Sequence, residues 1–135
     1  MGAIVAALAI LSAGLLVSYI TNRQAGWGLL AVAYTNQDAS KHTQWTFVSA
    51  RMGNGSTVVP YRAALNIGAD TLGIYLSIFP MFRLGAPPVF IPWEHLSVTE
   101  AAHHLEFRFL GAPTVFLRLN KNLGRSILGY KPNHT

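Results

Sequence analysis

The 135-residue chain contains no cysteine, and this absence excludes several classes of protein at once. Disulfide scaffolds, zinc ribbons, iron–sulfur clusters and thiol nucleophiles all need cysteine. Acidic residues are also scarce, with five Asp and Glu against ten Lys and Arg, so catalysis by paired carboxylates has few candidates. The sequence also lacks the motifs of serine hydrolases and of phosphate-binding loops. We therefore predict a non-catalytic protein without a cofactor.

Charged residues are missing altogether from residues 1–22, and this stretch is almost wholly apolar from Ile4 to Ile20. At about 1.5 Å per residue, a helix of this length reaches roughly 33 Å, enough to cross the hydrocarbon core of a bilayer. The sequence therefore predicts a transmembrane helix over residues 1–22. A small-x-small tripeptide at residues 31–33 would suit signal-peptide cleavage. The long apolar run without a preceding basic residue favours an uncleaved signal anchor instead.

Basic residues flank the predicted span on one side only. Arg23 follows it directly and Lys41 lies within about 20 residues, so the remainder of the chain is expected to face the cytoplasm. The expected location is therefore a membrane, with the lipid bilayer as a partner. A net charge of +5 suits a domain close to anionic lipid head groups. The basic residues are too dispersed to predict nucleic-acid binding.

Residues 23–43 separate the predicted span from the rest of the chain. Apolar residues at spacings of three and four predict a short amphipathic helix over residues 24–34, followed by a polar linker. Two interpretations of this helix are open. It could lie at the membrane surface, with Tyr19, Arg23 and Trp27 at the interface. Alternatively, it could pack on the domain that follows.

Alternation of apolar and polar residues, with frequent turn residues, predicts a mainly β soluble domain over residues 44–128. Its expected fold is a curved antiparallel sheet or a small barrel. Strands are predicted over residues 45–52 and 57–67, and Pro60 should interrupt the second strand or place it at an edge. A short helix over residues 120–128 is expected to close the domain, followed by a tail over residues 129–135.

Two predicted hairpins have registers that the apolar pattern can specify, because one face of each must be buried. A four-residue loop over residues 68–71 serves the first hairpin, and a three-residue loop over residues 111–113 serves the second. The second register also places Glu106 opposite Arg118, as an exposed ion pair worth about 0–1 kcal/mol. The predicted apolar partners are Leu65–Ile74 and Ile67–Leu72 in the first hairpin, and Leu105–Leu119, Phe107–Leu117 and Phe109–Val115 in the second.

Two groups of residues are candidate contact sites. A loose basic series, formed by Arg118, Lys121, Arg125 and Lys131, could face lipid phosphates or an acidic protein, or could simply keep the domain hydrated. Aromatic residues near proline-rich turns could form an exposed patch that docks a partner, or could belong to the core. These aromatic residues are Phe79, Phe82 and Phe90.

Histidines are the natural candidates for metal binding, and the main interpretation assigns no metal. Adjacent His103 and His104 would point to opposite faces of a strand. A cluster of His95, His104 and Glu106 is conceivable. It supports a small metal-dependent hydrolase as a third functional hypothesis.

Three short motifs resemble those of a group of uncharacterised bacterial single-span proteins with a β-rich domain. They lie at residues 25–31, 73–76 and 87–93, and the resemblance covers residues 1–119. It implies that the membrane is the bacterial inner membrane. The layout is also similar to small bacterial domains of the pleckstrin-homology or GRAM type, which are curved antiparallel sheets closed by a helix. Gly85 and Ala86 stand where the group has a histidine before the prolines, so no role of that histidine is transferred.

Together these features predict a single-pass accessory subunit without catalytic activity. It would bind and stabilise a larger integral-membrane complex, respiratory or photosynthetic, whose subunits are its expected protein partners. The alternative is a lipid-headgroup-binding domain that uses Arg118, Lys121 and Arg125.

Overall fold

One antiparallel sheet of seven strands makes up most of the computed structural model. The structure describes residues 2–79 and 86–132, and for residues 2, 11–19 and 23 it describes the backbone alone. The strands are β1 (Trp45–Asn54), β2 (Thr57–Ala69), β3 (Gly73–Ile78), β4 (Val89–Pro92), β5 (Leu96–Glu100), β6 (His104–Phe109) and β7 (Ala112–Asn120). The helices are α1 (Gly2–Gln24), α2 (Trp27–Tyr34) and α3 (Lys121–Leu128), with 3-10 helices at Ala39–His42 and Trp93–His95. The predicted β-rich domain and its closing helix are confirmed.

The sheet curls until its two edges nearly meet. Its strand order is β4-β3-β2-β1-β7-β6-β5, so β4 and β5 are the edge strands, yet only the three residues of Trp93–His95 join them. If the sheet were flat, strands about 4.8 Å apart would place its edges roughly 29 Å from each other, too far for three residues. The core therefore lies inside the curl, where Ile67, Phe107 and Val115 are fully buried.

The predicted transmembrane helix over residues 1–22 is wrong. In the part of the chain that the structure describes, no helix combines the length and the apolar content that crossing a bilayer requires. The C-terminal end of α1 packs on the domain: Asn22 is buried, and its Oδ1 accepts a hydrogen bond of 2.7 Å from the Tyr61 hydroxyl on β2. The single-pass signal anchor and the inner-membrane location with a cytoplasmic domain were inferred from that span, and both are contradicted with it.

The short helix predicted over residues 24–34 is α2, and it packs on the domain. Gly26 precedes it with a φ of 87°, and a Cβ there would lie 2.8 Å from Val115 Cγ2, so the entry into α2 requires glycine. Trp27, Leu30 and Tyr34 are buried along the face that meets the sheet. The structure thus favours packing on the domain over a position at a membrane surface.

Pro60 lies inside β2 without interrupting it. β1 and β2 join through the two-residue turn at residues 55 and 56, because Asn54 pairs with Thr57, and Pro60 pairs with Arg51. β3 pairs with β2 only over residues 65–69, so the half of β2 that contains Pro60 has no described strand on its other side. The missing N–H of Pro60 therefore costs no ladder hydrogen bond, which agrees with the edge position predicted as one alternative.

The register predicted for the β2–β3 hairpin is wrong by four residues, because the turn lies two residues further along the chain. Ala69 pairs with Ile74, and Ile67 pairs with Leu76 instead of Leu72. The reason is Asp70, whose Oδ1 accepts hydrogen bonds from the backbone N–H groups two and three residues on, at 2.8 and 3.2 Å. This local turn moves the loop to residues 70–73 while keeping the same side chains on the buried face.

The β6–β7 hairpin follows the predicted register along most of its length. The confirmed partners are Leu105–Leu119, Glu106–Arg118 and Phe107–Leu117. Near the turn the pairing differs, since Phe109 pairs with Ala112 instead of Val115 across a bulge. The loop is therefore residues 110 and 111, and Pro113 lies in β7.

We expect Asp70→Asn to change the acid stability of the protein. Partial burial alone would raise the pKa of Asp70, but hydrogen bonds from Tyr75 and from the backbone of Leu72 and Gly73, together with nearby His42, lower it. A carboxyl group whose pKa is lowered in the folded state stabilises the fold at pH values above its pKa in the unfolded chain, about 3.9. This contribution is lost as the pH falls through the pKa of the folded state. Asp70→Asn should cost about 1 kcal/mol at pH 7.

Urea unfolding between pH 7 and pH 2 measures this effect. The native protein should lose stability below about pH 4, and the Asp70→Asn variant should lose less over the same range. Asp38→Asn is the control, because Asp38 is 71% exposed and pairs only with Lys41 in the described part of the chain. Parallel pH profiles for the native protein and Asp70→Asn would contradict the role assigned to Asp70.

Candidate functional site

A cleft opens in the sheet where β1 and β7 separate. These strands pair only over residues 51–54 and 115–118, and the first half of β1 is paired with β2 alone among the described strands. The cleft begins just beyond the pair formed by Arg51 and Arg118, and it has a volume of ≈590 Å³. This volume lies within the usual range for small-molecule sites, roughly 300–1,000 Å³.

Irregular backbone in the β1–β2 hairpin produces this separation. The pairing shifts register twice between Trp45 and Ala50, and Phe47 and Ala63 both have a φ of 52°. Bulges of this kind bend a strand and increase its twist. Ser49 Oγ accepts a hydrogen bond of 2.8 Å from the Ala63 N–H, which satisfies a donor that the irregular pairing would otherwise leave open. The hairpin is thus bent away from β7 at the position of the cleft.

The walls of the cleft are basic. Three arginines and two histidines line it, and no carboxylate is among the lining residues in the described part of the chain. The remaining lining residues are polar or apolar and include the buried Tyr61. The basic lining residues are Arg51, Arg62, His103, His104 and Arg118. Such a surface attracts anions.

Arg118 is held in place from two sides. Its Nε lies 3.0 Å from Glu106 Oε1, and its guanidinium carbon lies 4.5 Å from the centre of the Phe116 ring. Burial alone would raise the pKa of Glu106, but hydrogen bonds from Arg118 and Arg108 outweigh that effect and lower it. Glu106 therefore stays ionised and orients Arg118. It is shared with Arg108, whose Nε is also 3.0 Å away, so one negative charge serves two positive ones.

Arg51 and Arg62 bring positive charge to the cleft without a described acidic partner. Both side chains are exposed, and neither forms an ion pair within residues 2–79 and 86–132. Arg51 lies directly opposite Arg118 on the neighbouring strand. Like charges in directly opposed positions destabilise a sheet. A bound anion between them would remove that repulsion.

Tyr61 connects the floor of the cleft to α1. Its side chain is 5% exposed and its hydroxyl donates to Asn22 Oδ1. Burial raises the pKa of the Tyr61 phenol well above its ordinary value, so this hydroxyl stays protonated and remains a donor. The end of α1 thus supports the floor of the cleft.

The predicted basic series does not come together as one site. Arg118 lies in the cleft, whereas Lys121 and Arg125 lie in α3. Both α3 side chains contact Glu100 Oε1, at 3.3 and 2.8 Å. Hydrogen bonds from Arg125 and Lys121 lower the pKa of Glu100, which therefore stays ionised. Lys131 is exposed beyond the end of α3. The two α3 cations are thus already paired, unlike Arg51 and Arg62.

The predicted aromatic patch is also divided. The ring of Phe79 is 5.7 Å from that of Phe47, and Phe90 on β4 is 4.8 Å from Tyr75. Both predicted residues are half-buried, and Phe82 lies outside the described residues. The structure therefore does not join Phe79 and Phe90 in one patch.

The three residues predicted at a membrane interface have different outcomes. Trp27 is fully buried, and its indole N–H donates to the Pro87 carbonyl at 2.7 Å. The side chains of Tyr19 and Arg23 lie outside the described residues. Trp27 is thus a core residue.

The histidine cluster proposed for metal binding does not form. His95 accepts a backbone hydrogen bond from Leu110, just beyond the end of β6, whereas His104 begins β6. Six strand residues span roughly 20 Å, so His95 lies far from His104. No group of three or more possible metal ligands occurs among the described residues. The cluster of His95, His104 and Glu106 therefore does not support the hydrolase hypothesis.

Sequence analysis missed Arg51 and Arg62. Their signal lay in the turn at residues 55 and 56: a two-residue turn places Arg51 opposite Pro60 and two positions along from Arg62 on the same face. The bulges that open the cleft leave no comparable signal, because Phe47 and Ala63 are not residues that favour a positive φ.

Comparisons of the chain with protein-family models, with curated proteins and with solved structures find no match. The resemblances drawn from the sequence motifs therefore stay predictions.

Proposed function

We propose that this protein is a non-catalytic binding domain whose cleft between β1 and β7 holds a phosphate-bearing ligand. The observation that carries the proposal is the set of three arginines around a cleft without a lining carboxylate, two of them without a described acidic partner. Guanidinium groups bind phosphate oxygens through paired, charge-assisted hydrogen bonds. A phosphate group would also separate the like charges of Arg51 and Arg118.

Binding, as opposed to catalysis, is supported by the engagement of the two hydroxyl groups that line the cleft. Ser49 Oγ accepts a hydrogen bond from Ala63, and the Tyr61 hydroxyl donates to Asn22. Neither hydroxyl is hydrogen-bonded to a histidine in the described part of the chain. An activated nucleophile would need such a base beside it.

Calorimetric titration with glycerol 3-phosphate tests the proposal on the full chain. Arg51→Gln and Arg62→Gln should each weaken binding about tenfold, the effect of one lost hydrogen bond to a charged group. Affinity should also fall with added salt. Arg125→Gln is the matched control, because it removes an equal charge that Glu100 already neutralises. Equal losses in Arg125→Gln and Arg51→Gln, or no saturable binding, would contradict the proposal.

The phosphate group could belong to a lipid or to a soluble compound, and a second titration separates these sources. The probes are phosphatidylcholine vesicles with and without phosphatidic acid. Binding to the acidic vesicles together with weak binding of glycerol 3-phosphate identifies a lipid head group. Comparable affinity for both identifies the phosphate group itself as the recognised element.

The role of accessory subunit in a larger assembly stays a prediction. Four large apolar side chains near the start of α1 are each more than half exposed, and they are a surface that such an assembly could cover. They are Ile4, Val5, Leu8 and Ile10. This surface is separate from the residues that line the basic cleft.

A further inference from the structure

His95 lies between two cavities at the opposite end of β6 from the basic cleft. Each cavity has a volume of ≈300 Å³, and His95 lines both. The imidazole is half-buried and stands edge-on to the ring of Tyr34, with the ring centres 5.6 Å apart. The backbone of His95 is fixed as well, because its carbonyl accepts a hydrogen bond of 2.8 Å from the Leu110 N–H.

The Tyr34 hydroxyl lies between two polar partners, the Gly111 N–H and His95 Nδ1. The Tyr34 hydroxyl accepts a hydrogen bond of 2.7 Å from the Gly111 N–H, and it lies 3.0 Å from His95 Nδ1. Because the Gly111 N–H is a donor, the hydroxyl proton of Tyr34 is available to Nδ1. When the hydroxyl donates this proton, Nδ1 is the acceptor and the ring proton of His95 is on Nε2. A Cβ at Gly111 would lie 2.8 Å from the Tyr34 hydroxyl oxygen, so glycine is needed for this contact.

Three side chains with uncommitted polar atoms line one of these two cavities, the one beside β5 and β6. In the described residues, His95 Nε2, Ser97 Oγ and Arg108 Nη2 have no hydrogen-bond partner. Ser97 pairs directly with Arg108 across the two strands, and His95 is two residues before Ser97. The rest of the lining is mainly apolar, with Leu96, Phe109, Leu110 and Pro113, and Glu94 is the one carboxylate among the described lining residues.

We propose that this cavity binds a small monocarboxylate with an apolar body. The carboxylate would accept hydrogen bonds from His95 Nε2 and Arg108, and the apolar body would contact Leu110 and Pro113, which are both exposed. A single charge is expected, because Glu106 already neutralises part of the charge on Arg108 and Glu94 repels further negative charge. The lining residues of this cavity differ from those of the proposed phosphate cleft, but Glu106 contacts both Arg108 here and Arg118 in the cleft.

Nuclear magnetic resonance titration of the full chain with benzoate tests the proposal. Long-range proton–nitrogen spectra should show His95 protonated at Nε2 before addition, and benzoate should shift the Nε2 signal in a saturable way. His95→Asn keeps an acceptor near Nδ1 but removes the Nε2 donor, so binding should weaken about tenfold. His95→Gln places an amide N–H near the Nε2 position and should recover most of the affinity. Glu94→Gln should bind benzoate more tightly.

Arg108→Gln provides a second, independent variant and should also weaken benzoate binding about tenfold. Backbone amide spectra of each variant show that it is folded before the titration is interpreted. An Nδ1-protonated His95, or benzoate shifts that do not saturate, would overturn the proposal. It would also be overturned if His95→Asn and Arg108→Gln both bound benzoate as the native protein does. Unchanged binding of glycerol 3-phosphate in His95→Asn, which does not touch the Glu106 carboxylate shared by Arg108 and Arg118, would show that the two sites are distinct.

Discussion

Replacing Trp27 with alanine is expected to lower the free energy of unfolding by about 3–5 kcal/mol. The side chain is fully buried between α2 and the sheet, so its removal leaves a large cavity in the core. The substitution also leaves the Pro87 carbonyl without its 2.7 Å hydrogen bond from the indole. Chemical unfolding followed by circular dichroism measures the effect without relying on tryptophan fluorescence.

Two further variants separate the contributions of Trp27. Trp27→Phe keeps most of the buried ring but removes the indole N–H, so its cost should approach that of one hydrogen bond, about 1–2 kcal/mol. Val32→Ala is the control on the same helix, because Val32 is 89% exposed, and it should change stability by less than about 0.5 kcal/mol. If Trp27→Ala cost no more than Val32→Ala, Trp27 would not be a core residue.

The β6–β7 hairpin shows what the apolar pattern can predict. Its register followed from matching buried side chains, and Glu106 does pair with Arg118. The same reasoning failed at the β2–β3 hairpin, where two registers bury the same face and only the turn distinguishes them. Asp70 makes that distinction through hydrogen bonds to its own backbone neighbours. A pattern of period two cannot detect such a shift, because the turn moves by two residues and the partner of each residue by four, so the same side chains stay on the buried face.

The span over residues 1–22 shows the limit of an argument from missing charge. The absence of charged side chains up to Asn22 is a property of α1 alone, and it predicted a span that ends at Asn22. In the structure Asn22 is buried against the domain and accepts a hydrogen bond from Tyr61, a residue 39 positions away. Contacts at that sequence separation depend on the finished fold. For the same reason, the burial of Trp27 beneath Pro87 could not be read from the spacing of apolar residues in α2.

The candidate sites depended on tertiary structure even more strongly. Proximity in sequence grouped Arg118 with Lys121 and Arg125, but Glu100 pairs with the last two. The strand ladder instead sets Arg118 beside Arg51, 67 residues earlier in the chain. Similarly, His95 contacts Tyr34 and the Leu110–Gly111 turn instead of joining His104. Residue types were informative, whereas their partners required the sheet topology.

Gly68→Ala is expected to destabilise the protein by about 3 kcal/mol, because the new methyl group has no space. Gly68 lies on β2, and a Cβ there would overlap the carbonyl oxygen of His42, at the end of the 3-10 helix Ala39–His42. The atom in the way belongs to the backbone, so a change of side-chain rotamer cannot relieve the overlap. The segment before β1 would have to move away from the sheet, which would also weaken the stacking of His42 on Tyr75, whose ring centres are 4.2 Å apart.

Gly28→Ala is the matched control for this substitution, since it adds the same methyl group at a position with free space. A Cβ at Gly28 meets no described atom within 4 Å, and the residue is exposed on α2. Alanine restricts the unfolded chain more than glycine and favours helix, so this variant should be more stable by about 0.4–1 kcal/mol. The midpoints of thermal and urea unfolding should therefore fall for Gly68→Ala and rise for Gly28→Ala. Equal stabilities would show that His42 does not lie against β2 at Gly68, and hence that the segment between α2 and β1 is not part of the packed domain.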